Sequence, residues 1–458
     1  MTLGALKEAA PHAGFHNAAK GLRVALFSGN YNYHKDGAAV TLNRLVAHLE
    51  DQGAEVLVFS PTADRPAFDS AGTVVSVPSV PFPGRGEYRV GLGLTPGVRR
   101  QLDAFNPNIL HLSAPDILGY AALRYGKRHG LPTVASYHTR YDTYLQYYGV
   151  SALETVGKRY FRHFYSACDH VYVPSNCLTE VLGEDGITDN VRIWSRGVDC
   201  RRLNPDRRDD AWRRSLGIDD SDVVVAFCGR LVREKGLDAL IDTVTALTRR
   251  GVAHKCLIIG DGPERQMLEA RLPEAVFTGF LTGSDLARAY ASADIFFNPS
   301  QTETFGQVTL EAMASGVPTV CADATGSRSL VRDGVTGFLA PPRDADAYAD
   351  HIARLIREPA LRLRMGAASL AEARRYDWHK VMQSMIENYW DAMAEHTVPA
   401  PVPSGPIGVA PQSAGATVIE AHPHPSGGTM GMRPHMAPTA RAHDGLPGGD
   451  ATADAAAR

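Results

Sequence analysis

Residues 301–316, QTETFGQVTLEAMASG, decide how the second half of this chain is built. A predicted turn at 304–306 leads into a short helix with apolar residues at helical spacing, which Gly316 ends. The turn and the helix set two carboxylates, Glu303 and Glu311, eight positions apart. Because free backbone N–H groups at a helix start attract anions, the corner beside Glu303 suits an anionic ligand. A plain strand–loop–helix corner with two solvated glutamates is the alternative, and spacing alone leaves both open.

The bulk composition bounds the class of protein. A chain of 458 residues has room for two domains, and 44% apolar and 21% charged residues are typical of a soluble globular protein. The formal net charge of -3 gives no reason to expect nucleic acid as a partner. No apolar run approaches the roughly 18 residues of a membrane-spanning helix, and residues 1–20 lack the apolar centre of a signal peptide. The six cysteines form no CxxC pair, so we expect a reduced, cytoplasmic protein that meets a membrane only at its surface.

Short apolar runs alternate with helical patterns in two successive series. The predicted strands of the first series are 22–28, 55–60, 74–77, 109–112, 133–136 and 171–173. Those of the second series are 223–228, 255–259, 275–278, 295–298 and 319–322. This alternation is typical of parallel sheets covered by helices on both faces. The sequence therefore predicts an α/β protein with two Rossmann-like, doubly wound domains.

Shifts in composition divide the chain into segments. The turn-rich stretch RGVDCRRLNP at 196–205 is the predicted hinge, and large aliphatic residues become scarce after residue 396. The predicted segments are a flexible N-terminus (1–20), an N-terminal Rossmann-like domain (21–200), a C-terminal Rossmann-like domain (201–375), a helix packing back on the N-terminal domain (376–396) and a disordered tail (397–458).

A basic loop, GRLVREKG at 229–236, follows the first strand of the second series. It would lie at the carboxyl edge of the sheet, where ligands bind in such folds. Arg230, Arg233 and Lys235 place three cations in this loop between two glycines. Cationic side chains and backbone N–H groups in that arrangement suit a diphosphate. A solvated basic loop is the alternative.

Two further positions could touch a ligand in the first domain. His138 follows the predicted strand 133–136, at the carboxyl edge of that sheet, although it could also be a structural histidine. Gly37, at the start of the first long helix, would let a ligand approach the helix N-terminus closely. The DAD sequence at 344–346 has the spacing of a metal-binding motif, but N-capping of a helix explains it better. We therefore expect no metal site.

Taken together, GRLVREKG and ETFGQVTLEAMASGVPTV resemble motifs of the retaining glycosyltransferases of family 4, over roughly residues 22–396. The second motif carries the family's two glutamates separated by seven residues. YHTRYDTYLQYYG, VPSNCLTEVL and WSRGVD resemble the branch with GDP-mannose-dependent α-mannosyltransferases and plant-type sulfoquinovosyltransferases. The resemblance implies the GT-B architecture, in which an acceptor domain and a donor domain face each other across a cleft. One departure is Asp36 before Gly37, where the family often has two adjacent glycines.

The resemblance also implies roles for the candidate site residues. His138 and Glu303 would be the catalytic residues, with Glu303 holding the donor sugar and His138 reaching it from the other domain. This family is metal-independent and has no cofactor beyond its nucleotide-sugar donor. Whether the anomeric configuration is retained by front-face attack or through a covalent intermediate stays open.

The implied donor-binding residues are Gly37, Arg230, Lys235, Phe305, Gly306 and Glu311. The cations would neutralise the leaving diphosphate, Glu311 would hold the ribose hydroxyls, and the backbone of Phe305 and Gly306 would lie near the sugar and phosphate. Charge that develops on the leaving group is best stabilised by fixed cations and a helix N-terminus.

Donor and acceptor identity stay open between alternatives. The resemblance favours transfer of mannose from GDP-mannose to a glycolipid or glycan, and a UDP-sugar-dependent lipid glycosyltransferase is the alternative. A sugar-nucleotide epimerase or an inactive scaffold is more distant. Seven of the 17 tyrosines lie between residues 137 and 165 among basic residues, which suits contact with anionic lipid. Helices packed within the first domain would explain the same tyrosines.

Overall fold

The computed structural model describes residues 17–34, 36–82, 85–137, 154–187, 190–303 and 305–396. Strands and helices are numbered below in chain order within these residues. His138 and the predicted tail at 397–458 lie outside the described residues.

The first sheet has seven strands, and all its neighbouring strands are parallel. Their order is β3-β2-β1-β6-β7-β8-β9. The strands are β1 (Arg23–Phe27), β2 (Glu55–Ser60), β3 (Thr73–Ser76), β6 (Ile109–Leu112), β7 (Thr133–Ser136), β8 (His170–Val173) and β9 (Val191–Ile193). A separate antiparallel hairpin joins β4 (Ser79–Phe82) to β5 (Arg85–Gly91).

The helices of this domain follow the predicted βαβ order. They are α1 (Gly37–Asp51), α2 (Pro96–Phe105), α3 (Ile117–His129), α4 (Glu154–Ser166) and α5 (Asn176–Glu184). Asp36 caps α1 by accepting a hydrogen bond from the Ala39 N–H at 2.7 Å. The helix buries leucine and valine side chains at helical spacing, which is why it lies flat on the sheet.

The second sheet has six parallel strands in the order β12-β11-β10-β13-β14-β15. They are β10 (Val224–Cys228), β11 (Lys255–Ile259), β12 (Val276–Gly279), β13 (Ile295–Asn298), β14 (Thr319–Ala322) and β15 (Gly337–Ala340). The helices are α6 (Asp210–Ser215), α7 (Leu237–Arg249), α8 (Arg265–Arg271), α9 (Gly283–Ala291), α10 (Gln307–Ala314), α11 (Thr325–Leu330), α12 (Ala345–Arg357) and α13 (Pro359–Ala373). Two parallel sheets with helices on both faces confirm the predicted α/β fold.

The last described helix, α14 (Trp378–Glu395), returns to the first domain. Its apolar side chains, among them Met385 and Ile386, are buried in one cluster with those of α1 and one face of the first sheet. The opposite face of the first sheet packs on α2, α3 and α4. A polar chain ties α14 to the sheet, because His111 is hydrogen bonded through Nδ1 to the Tyr389 hydroxyl at 2.5 Å and through Nε2 to Ser136 Oγ at 2.6 Å.

The chain passes twice between the domains at adjacent positions. The first passage includes Val198, and the second lies just before α14, where Asp377 forms an isolated parallel bridge with Val198. The predicted hinge at 196–205 is therefore hydrogen bonded to the second segment that connects the domains. None of the described helices combines the length and apolar character needed to cross a membrane.

Strands β9 and β15 and the hairpin were not predicted from the sequence. Both β9 and β15 are short strands at the edge of their sheets, and each pairs with one neighbouring strand only, so their short sequences carry a weak pattern. The hairpin contains Pro81 in β4, a residue that argues against a strand except at an edge or bulge. In the structure, Pro81 lies next to a register shift in the β4–β5 pairing.

Candidate active site

An ion pair between Lys235 and Glu303 lies at the carboxyl edge of the second sheet. Lys235 ends a short 3-10 helix (Arg233–Lys235) that follows β10, and Glu303 follows the neighbouring strand β13. The Lys235 Nζ lies 2.6 Å from Glu303 Oε1. The two side chains are 28% and 17% exposed, so water screens their interaction only partly. The structure thus brings together two of the predicted site residues.

The other two cations of the basic loop do not join this pair. Arg230 is exposed. Arg233 is 80% exposed and points to Glu264, whose Oε1 lies 3.1 Å from its Nε. The loop is nevertheless tightly constrained, since Gly236 has a φ of 76° and a Cβ there would lie 2.7 Å from the carbonyl oxygen of Pro299.

Glu311 is half-buried in the second domain and is held there by two neutral donors. The hydroxyl of Tyr290 donates to its Oε2 at 3.0 Å, and Nε2 of Gln307 donates to its Oε1 at 3.3 Å. Burial raises the pKa of the Glu311 carboxyl, and these hydrogen bonds with the charges of Arg202 and Arg44 only partly offset that effect. The Glu311 carboxylate is therefore held in place, and its negative charge is only partly balanced by its surroundings.

The start of α10 lies between the two glutamates. Gly306 is its N-cap, with a φ of 90° that favours glycine. Phe305 is buried, and its ring packs edge-on against Tyr376 with centroids 6.0 Å apart. This aromatic contact anchors the turn that leads into α10, which begins four positions after Glu303. Thr304 lies outside the described residues.

Gly37 begins α1 in the first domain, and Arg196 occupies the space beside it. A Cβ added to Gly37 would lie 2.6 Å from Nη1 of Arg196. The structure therefore places a cation of the same chain beside Gly37, and the approach of a ligand to this glycine stays a prediction. The preceding carboxylate, Asp36, receives hydrogen bonds from Asn30 Nδ2 at 2.6 Å and from the Ala39 N–H.

His138 cannot be placed relative to these groups, because it lies outside the described residues. Its strand, β7, ends at Ser136, and the following Tyr137 is buried against Tyr165 with ring centroids 5.3 Å apart. The second predicted catalytic residue therefore stays a prediction.

Three residues that sequence reasoning did not select lie in this region. They are Arg196, Gln307 and Arg44. Arg196 lies in the motif WSRGVD, and Gln307 lies between the two glutamates. Both residues could therefore have been selected from the motifs already quoted. Arg44 gave no local signal, because its guanidinium stacks over the ring of Trp378 in a distant part of the chain at 4.4 Å.

The arrangement can bind an anion next to a hydroxylated ligand. A partly shielded ammonium and a helix N-terminus attract phosphate oxygens, and the two carboxylates can accept hydrogen bonds from sugar hydroxyls. Within the described ranges, no group of three or more His, Cys, Asp or Glu residues could hold a metal ion.

Comparisons with known proteins place the chain in a family. The family model described as Glycosyltransferase Family 4 matches residues 35–202, and the model described as Glycosyl transferases group 1 matches residues 208–371. A GDP-mannose-dependent alpha-mannosyltransferase of Mycobacterium tuberculosis is 34% identical over 387 residues, which cover 83% of this chain and 99% of the relative.

Two further similar proteins widen the comparison. A sulfoquinovosyl transferase of Arabidopsis thaliana is 32% identical over 379 residues, covering 81% of this chain and 74% of the relative. The structure of a sucrose-phosphate synthase from Thermosynechococcus elongatus superimposes with a TM-score of 0.61 at 20% identity, covering 81% of this chain and 99% of that chain.

The fold and these matches define a glycosyltransferase of GT-B architecture. The chain belongs to the retaining glycosyltransferases of family 4.

Proposed function

We propose that this protein transfers mannose from GDP-mannose to a glycolipid or glycan acceptor with retention of the anomeric configuration. The ion pair between Lys235 and Glu303, near the start of α10, carries the proposal. It brings together a cation suited to a diphosphate and a carboxylate suited to sugar hydroxyls. The mycobacterial relative, which is matched over 99% of its length, is a GDP-mannose-dependent alpha-mannosyltransferase, and this supports GDP-mannose as the donor.

Each residue has a defined task in this proposal. Lys235 and Arg230 neutralise the diphosphate as the glycosidic bond breaks, and the N–H groups at the start of α10 add to their effect. Glu303 accepts hydrogen bonds from the transferred sugar, and Glu311 accepts them from the ribose. His138 approaches the sugar from the first domain. These contacts matter most when negative charge has developed on the leaving nucleotide.

We propose that turnover needs no metal ion and no cofactor. Arg230, Lys235 and the helix N-terminus supply the positive field that a divalent cation supplies in other transferases. Full activity in excess EDTA is the expected result. Activity that EDTA abolishes and Mg²⁺ or Mn²⁺ restores would contradict it.

A UDP-sugar donor with a lipid acceptor is the second candidate. The similarity to a plant sulfoquinovosyl transferase favours it, at an identity close to that of the mycobacterial relative. The two candidates share the diphosphate and differ in the base and the sugar, so nucleotide binding separates them.

A lipid acceptor would require contact with a membrane surface. The exposed side of α4 supports such contact, since Val156 is 63% exposed beside the exposed cations Arg159 and Arg162. Sedimentation with anionic and neutral vesicles tests this contact separately from donor use. If the protein binds neither kind of vesicle and transfers the sugar only to water-soluble glycans, a lipid acceptor is excluded and a glycan is the acceptor.

The donor is tested first by thermal shift with GDP, UDP and ADP. We expect GDP to raise the melting temperature most, since ligands that bind the folded state stabilise it by mass action. Transfer from labelled GDP-mannose and UDP-hexoses to lipid extract and to soluble glycans then identifies the product. Preference for UDP in both measurements would replace the first candidate by the second.

A further inference from the structure

We propose that a cleft between α2 and α3 binds the phosphate of anionic lipid headgroups and docks the first domain on an anionic membrane surface. This inference deepens the proposed function and rests on its lipid-acceptor form, because it names where the protein meets the membrane that holds such an acceptor. The exposed side of α4 then belongs to a larger surface.

Three arginines line this cleft, which has a volume of about 240 Å³. Arg99 comes from α2, and Arg124 and Arg128 come from α3. The remaining lining side chains are Leu94, Ala121 and Tyr125. Arginine suits phosphate better than other cations do, because its planar guanidinium can donate two parallel hydrogen bonds to phosphate oxygens. The cleft is therefore suited to a phosphate group.

The positive charge of the cleft is largely unpaired within the protein. Arg124 and Arg128 are exposed, and neither forms an ion pair with any residue in the described ranges. The Arg99 Nε lies 3.7 Å from Asp103 Oδ2, while Asp103 Oδ1 accepts a hydrogen bond from the Tyr125 hydroxyl at 2.8 Å. Two of the three arginines are thus available to an external anion.

The sequence around the cleft adds to this charge. Residues 92–130 contain five arginine or lysine residues and two carboxylates, a formal charge of +3 in a chain whose total is -3. One of the carboxylates, Asp116, caps α3 by accepting a hydrogen bond from the Gly119 N–H at 2.7 Å. A cationic cluster of this kind is attracted to the negative surface of a membrane that contains anionic lipids.

Two exposed apolar side chains extend the surface toward the start of α3. Leu92 is 49% exposed, and Ile117 is 57% exposed. Gly93 lies against α3, because a Cβ added to it would be 3.4 Å from Cβ of Ala121 and 3.7 Å from Cγ2 of Ile117. The apolar pair is therefore continuous with the cleft, which Ala121 also lines.

The apolar and cationic side chains share one face of α3. Ile117, Ala121, Arg124 and Arg128 follow one another at intervals of four, three and four residues, which places them on the same side of a helix. Apolar side chains that enter the headgroup region beside cations that meet phosphates are typical of a membrane-binding surface. A nucleic-acid backbone would use the arginines but not the exposed leucine and isoleucine.

Helix α4 also contacts α3. The rings of Tyr120 and Tyr160 pack with centroids 6.0 Å apart, and the Tyr160 hydroxyl donates to the carbonyl oxygen of Pro115 at 2.9 Å. The exposed cations of α4 therefore adjoin the helix that carries the cleft. Together, α2, α3 and α4 form one cationic side of the first domain.

The test is sedimentation of the full-length protein with vesicles of phosphatidylcholine alone and of equal parts phosphatidylcholine and phosphatidylglycerol. The double variant Arg124→Gln/Arg128→Gln should bind the anionic vesicles about 30-fold more weakly than wild type, the loss expected for two cations at an anionic membrane surface. Arg357→Gln/Arg364→Gln is the matched control. Its two arginines lie in α12 and α13 of the second domain, are exposed, and form no ion pair within the described ranges. Its binding should stay within about threefold of wild type, since salt screens distant charges.

A second pair of variants tests the apolar part of the surface. Leu92→Ser should weaken binding to anionic vesicles by about fivefold, because about half of this side chain is free to be buried in lipid. Leu363→Ser is the control, since Leu363 is 74% exposed but lies in α13 of the second domain. Its binding should equal that of wild type.

Several results would overturn the proposal. Equal losses in the two arginine double variants would mean that only total charge matters, and equal binding of wild type to both kinds of vesicle would exclude recognition of anionic headgroups. Wild-type binding by Leu92→Ser would exclude apolar contact at this surface. A loss confined to Arg159→Gln would place the contact at α4 alone.

Free phosphate is the other source of the same chemistry. Titration calorimetry with inorganic phosphate, at the ionic strength of the vesicle assay, measures it directly. If free phosphate binds wild type and not Arg124→Gln/Arg128→Gln, while both bind vesicles equally, the cleft takes a soluble phosphate and the membrane contact is overturned.

Nucleotide release from the donor separates this proposal from the proposed function. Without vesicles, the release rate of Arg124→Gln/Arg128→Gln should stay within about twofold of wild type, because neither arginine belongs to the donor site. If wild type rejects GDP-mannose but binds anionic vesicles through the cleft, the donor proposal fails and this one stands. If it transfers mannose but the double variant binds vesicles as wild type does, the reverse holds. Melting temperatures measured without vesicles show that each variant is folded.

Discussion

At the residue scale, Lys235 and Glu303 are the pair on which donor binding depends most directly. Replacing either side chain by alanine leaves the charge of its partner half-shielded and removes a contact to the donor. We expect Lys235→Ala and Glu303→Ala each to lower the rate of nucleotide release from the donor by about 100-fold. Initial rates with saturating donor provide the measurement.

A neighbouring cation is the control for this pair. Arg233→Ala removes a positive charge from the same 3-10 helix, but Arg233 is exposed and directed at Glu264. Surface pairs of this kind contribute little, so its rate should stay within about twofold of wild type. Near-normal rates in the Lys235 or Glu303 variant would refute the site assignment.

Glu311 gives a prediction about pH, because burial raises the pKa of its carboxyl. Between the unfolded and the raised folded pKa, the folded state holds the extra proton, so stability decreases as pH rises through that window. Glu311→Gln removes this titration. The variant should melt a few degrees above wild type at pH 8, and the difference should vanish near pH 4.

The same substitution should weaken nucleotide binding, since the neutral amide is a poorer acceptor for ribose hydroxyls. Melting curves from pH 4 to 8, with and without nucleotide, measure both effects. A variant that is less stable than wild type at pH 8 would show that Arg202 and Arg44 outweigh the burial of the carboxylate.

The sequence could predict the meeting of Lys235 and Glu303 but not the place of Arg196. The first two residues follow strands whose carboxyl ends share one edge of a sheet, so strand assignment alone brings them close. Arg196 lies in a turn-rich connection, and its direction depends on Gln307, 110 residues from Gly197, and on the ring of Trp378. Contacts of that range have no local sequence signal.

At the element scale, α14 is joined to the first sheet by a buried polar chain. His111 is fully buried, and burial lowers its pKa to about 3, so it is neutral at pH 7. Tyr389→Phe removes the hydroxyl that bonds to His111 Nδ1 and leaves the ring in place. We expect a loss of about 1–2 kcal/mol in the free energy of unfolding, the cost of one unsatisfied buried group.

Urea unfolding followed by circular dichroism measures this loss. Tyr120→Phe in α3 is the control, because Tyr120 packs by its ring against Tyr160 with centroids 6.0 Å apart. We expect its unfolding midpoint to stay close to that of wild type. Equal midpoints for Tyr389→Phe and wild type would mean that the His111 contact contributes nothing to the docking of α14.

The strand assignments show which elements local pattern can predict. Glu55–Ser60 and Ile109–Leu112 were predicted with their observed bounds, because each is a mainly apolar run between turn-forming residues, and Ile109–Leu112 is buried throughout. The edge strand Val191–Ile193 has three residues, none of them fully buried. A strand this short and this exposed shows neither an apolar run nor a clear alternation, so its own sequence carries little information.

At the scale of the whole molecule, α14 makes the folding of the first domain depend on a segment that follows the second domain. The side chains of α14 that face α1 are apolar and buried, including Met385, Ile386 and Ala392. A chain ending after Asp377 would expose that surface to water, at a cost of about 25 cal/mol for each Å² of apolar area.

A pair of truncations tests this dependence. A chain ending after His396 should keep wild-type turnover, because the composition of residues 397–458 offers too few large apolar side chains to form a core. A chain ending after Asp377 should lose the cooperative melting of the first domain and all donor turnover. Turnover and melting curves of both chains are compared with those of the full-length protein. Lost activity in the longer chain would assign a role to the tail, and retained activity in the shorter one would show that the first domain folds without α14.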